Sequence, residues 1–523
     1  MKTNYILQIF LSLFLSVGFI SCSDDKENNP IPDKINFVIE NDVLSFQKES
    51  NTNSFRIKSE VHPQISCPED WVELNLERLT ASIYRLDVKV AANTGDDRTA
   101  SVTITSGTES KTLTINQSSQ SQASAYEVAS WLGLGWNPGN QMDSYKNGVA
   151  SETSDGNPML TQELFDKIKA AGVKTVRLPV TWIGHIGPAP DYIIDDRLER
   201  VAEIVGYAEK AGLNIIINLH HDGSGGYGFW LDFKPAAANV AKNLEVEDQI
   251  RKVWTQIAKR FVDTGDFLIF EAFNEIHDGD WGWGANLTDN GHQYNLLNEW
   301  LQVFVDAVRS TGGKNATRYL GVAGYSGGWE LIEHLELPKD PAIGRLLVSA
   351  HCYSPGKFCM EFYDEGGNFT YLPEWGHTAT EGKYPADDVD EEGLVDIFRG
   401  LKERFIDKNI PVYIGEFTCT NRPAGRESAF RDYYLEYFCK AAHDCGLSPV
   451  FWDNGGKGIG AGQGALFDRQ TGDYIHYNEA SVAAMVRAVS DDSPEYTLKS
   501  IYDRAPAAEE ADKQLFSKNA IQR

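Results

Sequence analysis

Basic residues are scarce in this chain of 523: Lys and Arg number 48 against 75 Asp and Glu, a formal net charge of -27. Such a charge repels nucleic acid phosphates and anionic lipid headgroups, which excludes both as partners held by charge and leaves neutral or cationic ones. Cysteine is scarce too, at 7. The Cys and His residues never fall at zinc-ligand spacing, and neither an HExxH motif nor an EF-hand loop occurs, so no metal is expected at the site. No GxGxxG opens a helix after a first strand, which removes the main signal of a dinucleotide fold; no cofactor is expected. The apolar stretch from Ile6 to Ile20 is too short for a permanent transmembrane helix and gives way at once to SDDKENNP. What the chain does have is material for a large core, with 42% hydrophobic and 11% aromatic residues, over a length that suggests more than one domain.

The opening MKTNYILQIFLSLFLSVGFISC has a short cationic start, an apolar stretch and a small residue before Cys22, the pattern of an export signal over residues 1–21. The end of this segment resembles a bacterial lipoprotein processing site, with Phe19 where Leu is usual. That resemblance implies a lipid anchor on Cys22, a tether over residues 22–34 and an exported, outer-membrane protein facing outward from the cell. Membrane contact is then expected only through the lipid. Export permits disulfides among Cys67, Cys352, Cys359, Cys419, Cys439 and Cys445, but their spacing fixes no pairing.

Residues 35–120 read as short alternating strands, SFRIKSE, IYRLDVKVA, TASVTIT and KTLTINQ, separated by polar turns such as NTGDD. A small all-β, immunoglobulin-like sandwich is the natural solution. Its last turn and strand pair resemble the BACON modules that precede catalytic domains in surface glycan enzymes; a spacer role is favoured here over sugar binding. A linker follows at 121–125.

Over residues 126–505, β-branched runs alternate with amphipathic stretches such as LTQELFDKIKAAG, leaving 506–523 as a tail. Eight strand candidates fall at 132–137, 174–180, 213–220, 267–275, 318–326, 345–353, 411–417 and 448–454, which predicts an α/β fold, a closed (β/α)8 TIM barrel. In such a barrel the strand ends converge on one face. Here they carry Asn137, Arg177, His220, His221, Asn274, Glu275, His351, Tyr353, Glu416 and Trp452.

Glu275 ends the fourth strand and Glu416 the seventh, so the two carboxylates face each other across the mouth. Glycosidic cleavage needs such a pair: one group protonates the leaving oxygen while the other supports charge at the anomeric carbon. Arg177 and the Tyr353 hydroxyl are placed to keep Glu416 ionised, which leaves Glu275 as the proton carrier. Glu271, at period two from Glu275, is expected one layer deeper as a hydrogen-bonded interior carboxylate. His220 and His221 are neighbours on a strand and are expected to point to opposite faces, so that only one lines the pit and the two cannot share an ion.

The ordered set WNPGN, RLPVTW, NLHHDG, FNE, HCY, IGEF and FWDN, over about residues 126–490, resembles glycoside hydrolase family 5. The resemblance implies a retaining enzyme with Glu275 as acid/base and Glu416 as nucleophile. Asn274 then binds the sugar 2-hydroxyl, Arg177 and Tyr353 support the nucleophile, His351 and one of the His220–His221 pair line the site, and Trp452 stacks under the sugar. GWNPGNQMDSY and HIGPAPDYIID resemble subfamily 4, a group of endo-β-1,4-glucanases, lichenases and xyloglucanases. Pro138, Gln141 and Met142 depart from that group's usual GWNLGNTLDA, which bears on fine specificity.

Trp230, Trp281, Trp283, Trp329 and Trp375 lie in loops after the strands, where flat rings suit pyranose faces, and about half are expected to pack loops instead. With a long connection at 354–390, these features point to a groove that cuts a polysaccharide internally, xyloglucan first and unbranched or mixed-linkage β-glucan second. A β-mannanase of the same family and a non-catalytic surface glycan-binding protein are the competing expectations. The catalytic unit is expected to act as a monomer.

Overall fold

The computed structural model describes residues 37–119, 121–223, 229–277, 291–380 and 389–506. The export signal, Cys22 and its tether, Trp281, Trp283 and the C-terminal tail from 507 lie outside the described residues.

The N-terminal region is a sandwich of two four-stranded sheets. One runs Val38–Ile39, Asn51–Lys58, Ile83–Val90 and Val72–Arg78 in spatial order; the other runs Val43–Phe46, Glu109–Gln117, Arg98–Ser106 and Gln64–Ser66. Alternation sets the core: in IYRLDVKV, Tyr84, Leu86, Val88 and Val90 are buried while Arg85 and Lys89 face water. Four of these strands lie beyond the sequence expectation. Three are too short to show a period, and Val72–Arg78 is an edge strand whose inward residues stay half-buried.

Eight parallel strands then close a barrel, and none extends more than two residues beyond its expected segment: β1 (Gly135–Pro138), β2 (Thr175–Leu178), β3 (Asn214–Asn218), β4 (Leu268–Glu271), β5 (Leu320–Gly328), β6 (Leu346–His351), β7 (Val412–Phe417) and β8 (Leu447–Asp453). Runs such as NIIIN and LIFE are buried throughout because helices cover one face and the barrel interior the other. The helix Gln162–Ala170 is typical: the Thr161 hydroxyl accepts from the Leu164 N–H at its start, and Leu164, Phe165 and Ile168 turn inward.

The first helix, Ala125–Leu132, closes the barrel's lower end. Its Val128 and Leu132 pack in one cluster with Ile216, Ile269, Leu347, Tyr413 and Val450, which project inward from five strands. An apolar floor of this kind leaves the opposite, C-terminal ends of the strands free for polar groups.

The sandwich docks where the barrel strands begin. Ser45 bridges to Ala342 just before β6, with the Ser45 N–H donating to Pro341 O (3.0 Å) and the Ile343 N–H to Ser45 O (3.2 Å). Ile343 packs on the sandwich core, and Asp340 beside it is fixed by a buried ion pair with Arg309 at 2.6 Å. The segment read as a linker is a bonded strap: the Gln122 N–H donates to Glu49, Ser124 caps the first helix, and the Ala125 N–H donates to Asn409 Oδ1 just ahead of β7.

Candidate active site

Directly above the apolar floor lies a layer organised by Arg177, the inward residue of β2. Its Nε and Nη2 donate to the two oxygens of Glu271 at 2.6 and 2.9 Å, a bidentate pair with both side chains fully buried. The expectation for Glu271 as an interior, hydrogen-bonded carboxylate is met. The same guanidinium donates to Asn137 Oδ1 (3.0 Å), Asn274 Oδ1 (2.6 Å) and Glu416 Oε1 (2.8 Å), so one cation ties β1, β2, β4 and β7 together at the mouth. Burial works against its charge, but Glu271 and Glu416 outweigh burial and push the guanidinium up.

Glu416 reaches this layer only through an irregularity in β7. Tyr413 belongs to the inward cluster, so strict alternation would aim Gly415 inward and Glu416 out. The ladder to β6 runs from Ala350↔Ile414 to His351↔Glu416, leaving Gly415 as an extra residue, and this bulge turns the carboxylate into the pit. There its second oxygen accepts the Tyr353 hydroxyl at 2.6 Å, and His351 Nδ1 lies 3.6 Å away. Burial raises the Glu416 carboxyl, but His351, Arg177 and the Tyr353 hydroxyl more than offset this and hold it below the usual carboxylate range. The Tyr353 phenol moves the other way, well above its ordinary value through burial and the charges of Glu416 and Glu275.

Glu275 stands across the pit, bonded to His351 Nδ1 at 2.7 Å. Burial disfavours the charged form of His351, yet the charges of Glu416 and Glu275 and the hydrogen bond to Glu275 push the ring above its ordinary value, and it sits between the two acids. One oxygen of Glu275 and one of Glu416 lie within 4.8 Å of each other. Gly327, at φ +68°, makes room for this arrangement, since a Cβ there would stand 2.9 Å from Glu275 Cγ and 3.3 Å from His351 Nδ1.

Trp452, inward on β8, forms one wall. Its indole lies over Gly139, where a Cβ would meet it at 2.5 Å, and it stacks parallel to His220 with centroids 5.6 Å apart. His220 is buried, and burial with the neighbouring His221, Arg177 and His351 charges holds it well below its ordinary value, as a neutral ring. The expectation that His220 and His221 point to opposite faces is wrong. β3 ends at Asn218, so strand alternation no longer applies, and the two rings meet edge-on at 4.4 Å. His221 reaches Asp143 Oδ2 at 3.8 Å, and Asp143, His220 and His221 bring one ligand atom each within 4.8 Å, as do Glu275, His351 and Glu416. Either trio could hold an ion sterically.

Sequence reasoning missed Asp143 at the rim, although it stands in the quoted GWNPGNQMDSY; its carboxylate accepts the N–H groups of Asn140 and Gln141. Two of the departures in that stretch are structural. Gln141 accepts from buried Arg469 at 2.6 Å, and Met142 is fully buried. Among the loop tryptophans, Trp375 belongs to the core, and Trp230 is half-buried with its indole bonded to Asp222, whose carboxyl burial pushes up to about 7. Trp329 is half-buried and donates to Ser354. These three pack loops.

Comparisons with known proteins bear on the family of the chain. The profile of Cellulase (glycosyl hydrolase family 5) matches residues 140–458, and the BACON profile, an N-terminal domain, matches residues 60–118. Endoglucanase A of Paenibacillus barcinonensis is 36% identical over 349 residues, 64% of this chain and 83% of that one. The xyloglucan-specific endo-β-1,4-glucanase BoGH5A of Bacteroides ovatus is 29% identical over 513 residues, 92% of this chain and 96% of its own. A solved GH5-4 broad-specificity endoglucanase from Bacteroides salanitronis superimposes with a TM-score of 0.67 at 50% identity, covering 71% of this chain and 96% of that structure. Barrel, paired glutamates and profile match together place the chain in glycoside hydrolase family 5, with a BACON domain ahead of its barrel.

Proposed function

We propose that this chain is a retaining endo-β-1,4-glucanase that cuts plant cell-wall β-glucan, with xyloglucan as its first substrate. The observation that carries the chemistry is the unequal treatment of two nearby acids. Glu416 is held as an anion by Arg177, Tyr353 and His351, whereas Glu275 has Asn274 beside it and His351 as a hydrogen-bond partner. An oxygen–oxygen approach within 4.8 Å fits the short separation of retaining enzymes, about 5 Å between carboxyl groups.

In this reading a glucosyl unit lies on Trp452 with its anomeric carbon above Glu416. The Glu416 oxygen bonds to that carbon as the bond to the leaving oxygen breaks, and Glu275 gives that oxygen its proton. Water then enters on the Glu275 side, loses a proton to the Glu275 carboxylate, and its oxygen displaces Glu416. Two inversions retain the configuration.

Xyloglucan is favoured because the relative aligned along both domains carries that specificity in its name. The broad-specificity name of the 50% identical structure supports a second reading, in which unbranched and mixed-linkage β-glucans are also cut. Purified protein should release oligosaccharides from xyloglucan or mixed-linkage glucan with the β-anomer formed first, read by proton NMR. Binding without cleavage across those polymers, mannan, xylan and carboxymethyl cellulose would sink the enzyme reading in favour of a glycan-binding protein; cleavage of mannan alone would make it a mannanase.

A lipid on Cys22 and an outward-facing position at the outer membrane complete the proposal. Docking of the sandwich at the barrel's lower end, away from the mouth, supports a spacer role for it. Cys22→Ser should move the protein from the membrane fraction to the soluble one, and an unchanged distribution would defeat the anchor.

A further inference from the structure

The connection leaving β6 carries an aromatic pair that the catalytic layer does not use. Phe362–Tyr363 and Phe369–Thr370 pair as a short antiparallel hairpin with Tyr363 opposite Phe369. The two rings lie 5.2 Å apart at 43°, and they are 72% and 50% exposed. Scattered surface aromatics need no explanation, but these two are paired on a built support. At the turn, Asp364 Oδ1 accepts the N–H groups of Gly366 (2.9 Å) and Asn368 (2.7 Å). At the base, the Tyr371 ring lies under the buried Arg422 guanidinium at 3.7 Å and its hydroxyl donates to Glu427 at 2.9 Å. A hairpin fixed at both ends presents its rings in one orientation, with little entropy left to lose on binding.

Its neighbour is the loop that continues from Trp452. Asn454, two residues on, donates to Gly462 O (3.0 Å), and the Gly462 N–H donates to Glu361 Oε2 at the foot of the hairpin (3.1 Å). Phe369 lies over Gly462, where a Cβ would approach its ring edge at 3.6 Å. Ile459 in the same loop is exposed as well. The hairpin is therefore tied, through one loop, to the strand end that carries the indole walling the pit.

We propose that the Tyr363–Phe369 hairpin is an outer sugar-binding subsite, stacking on a pyranose unit of the polymer remote from the bond being cut. The proposal rests on the endoglucanase reading above. Exposed flat rings with acidic and amide side chains at the turn suit the apolar face and hydroxyl edge of a β-linked glucosyl or its branch. A subsite of this kind acts on long substrates and is silent for short ones.

The test compares wild type, Tyr363→Ala, Phe369→Ala and the double variant on xyloglucan and on an aryl β-cellobioside. Each single change should raise KM for the polymer roughly three- to tenfold with kcat unchanged, and leave aryl cellobioside turnover as in wild type. Tyr363→Trp and Phe369→Tyr should keep the wild-type KM. An unchanged polymer KM in the double variant, or an equal loss on the short substrate, overturns the subsite. Should wild type cut neither substrate, the endoglucanase reading fails; the subsite is then judged by affinity electrophoresis in a xyloglucan gel. Retardation lost in the double variant supports it there, and retardation equal to wild type overturns it.

Discussion

Two fully buried arginines stand at opposite ends of the same barrel and do different work. Arg318, just before β5, donates to four backbone carbonyls, those of Phe261, Thr264, Gly265 and Leu268, and to the Asn315 side chain. Burial pushes its guanidinium down to about 10, with Asp266 opposing. Arg177, at the mouth, donates to two carboxylates and two amides and is pushed up. The lower arginine satisfies backbone that a loop junction leaves unpaired; the upper one fixes the charge state and position of side chains. Stability at one end of the strands and chemistry at the other is the division this barrel makes generally, and the two residues allow it to be measured.

The largest effect should come from removing what Arg177 serves. Glu416→Ala should cut turnover on the order of 10^4-fold, with the fold intact and azide restoring part of the rate by taking the place of the carboxylate. No rescue with any substrate would leave another residue as the nucleophile. Next comes the pair itself. Arg177→Met should lower kcat by on the order of 10^2-fold and also destabilise, since it strands Glu271 and Glu416 in a buried layer. Arg318→Met should cost about 3 kcal/mol or more in denaturant unfolding, through carbonyls left without donors, while kcat per folded molecule stays at the wild-type value. If Arg318→Met lowered kcat as far as Arg177→Met in protein that remains folded, the two ends would not be separable.

The same contrast explains what the sequence could reveal. The eight strands were legible because runs such as NIIIN and VYIGEF are buried on both sides, and the polar residues at their ends stand out against that background. Glu271, Arg177 and Trp452 follow from alternation alone. Glu416 does not: alternation from Tyr413 points it outward, and only the bulge at Gly415 brings it in, so its place was legible from its position at a strand end and from the resemblance of IGEF rather than through periodicity. The His220–His221 expectation failed for the related reason that β3 had already ended. Which of the loop tryptophans pack was not legible, because Trp375 packs on Tyr433 and Tyr434 of a helix far along the chain, a contact that local sequence does not encode. Tyr363 and Phe369 escaped notice because the hairpin that pairs them is only two residues deep on each side.

The smallest and sharpest probe is Tyr353→Phe, which removes a single oxygen from the support of Glu416. The hydroxyl is one of three groups that keep this carboxyl below its usual range, after His351 and Arg177. Without it the carboxyl rises, so Glu416 takes up a proton at a higher pH than in wild type, and a protonated nucleophile is inert. The acidic limb of the kcat/KM profile should therefore move to higher pH, with a loss of about tenfold at the optimum from one charge-assisted hydrogen bond. Because the phenol itself is held well above its ordinary value, it stays a donor through the alkaline range and the basic limb should not move. A merely structural tyrosine would lower the whole profile without displacing either limb. An acidic limb that stays in place would assign the ionisation of Glu416 to Arg177 and His351 alone.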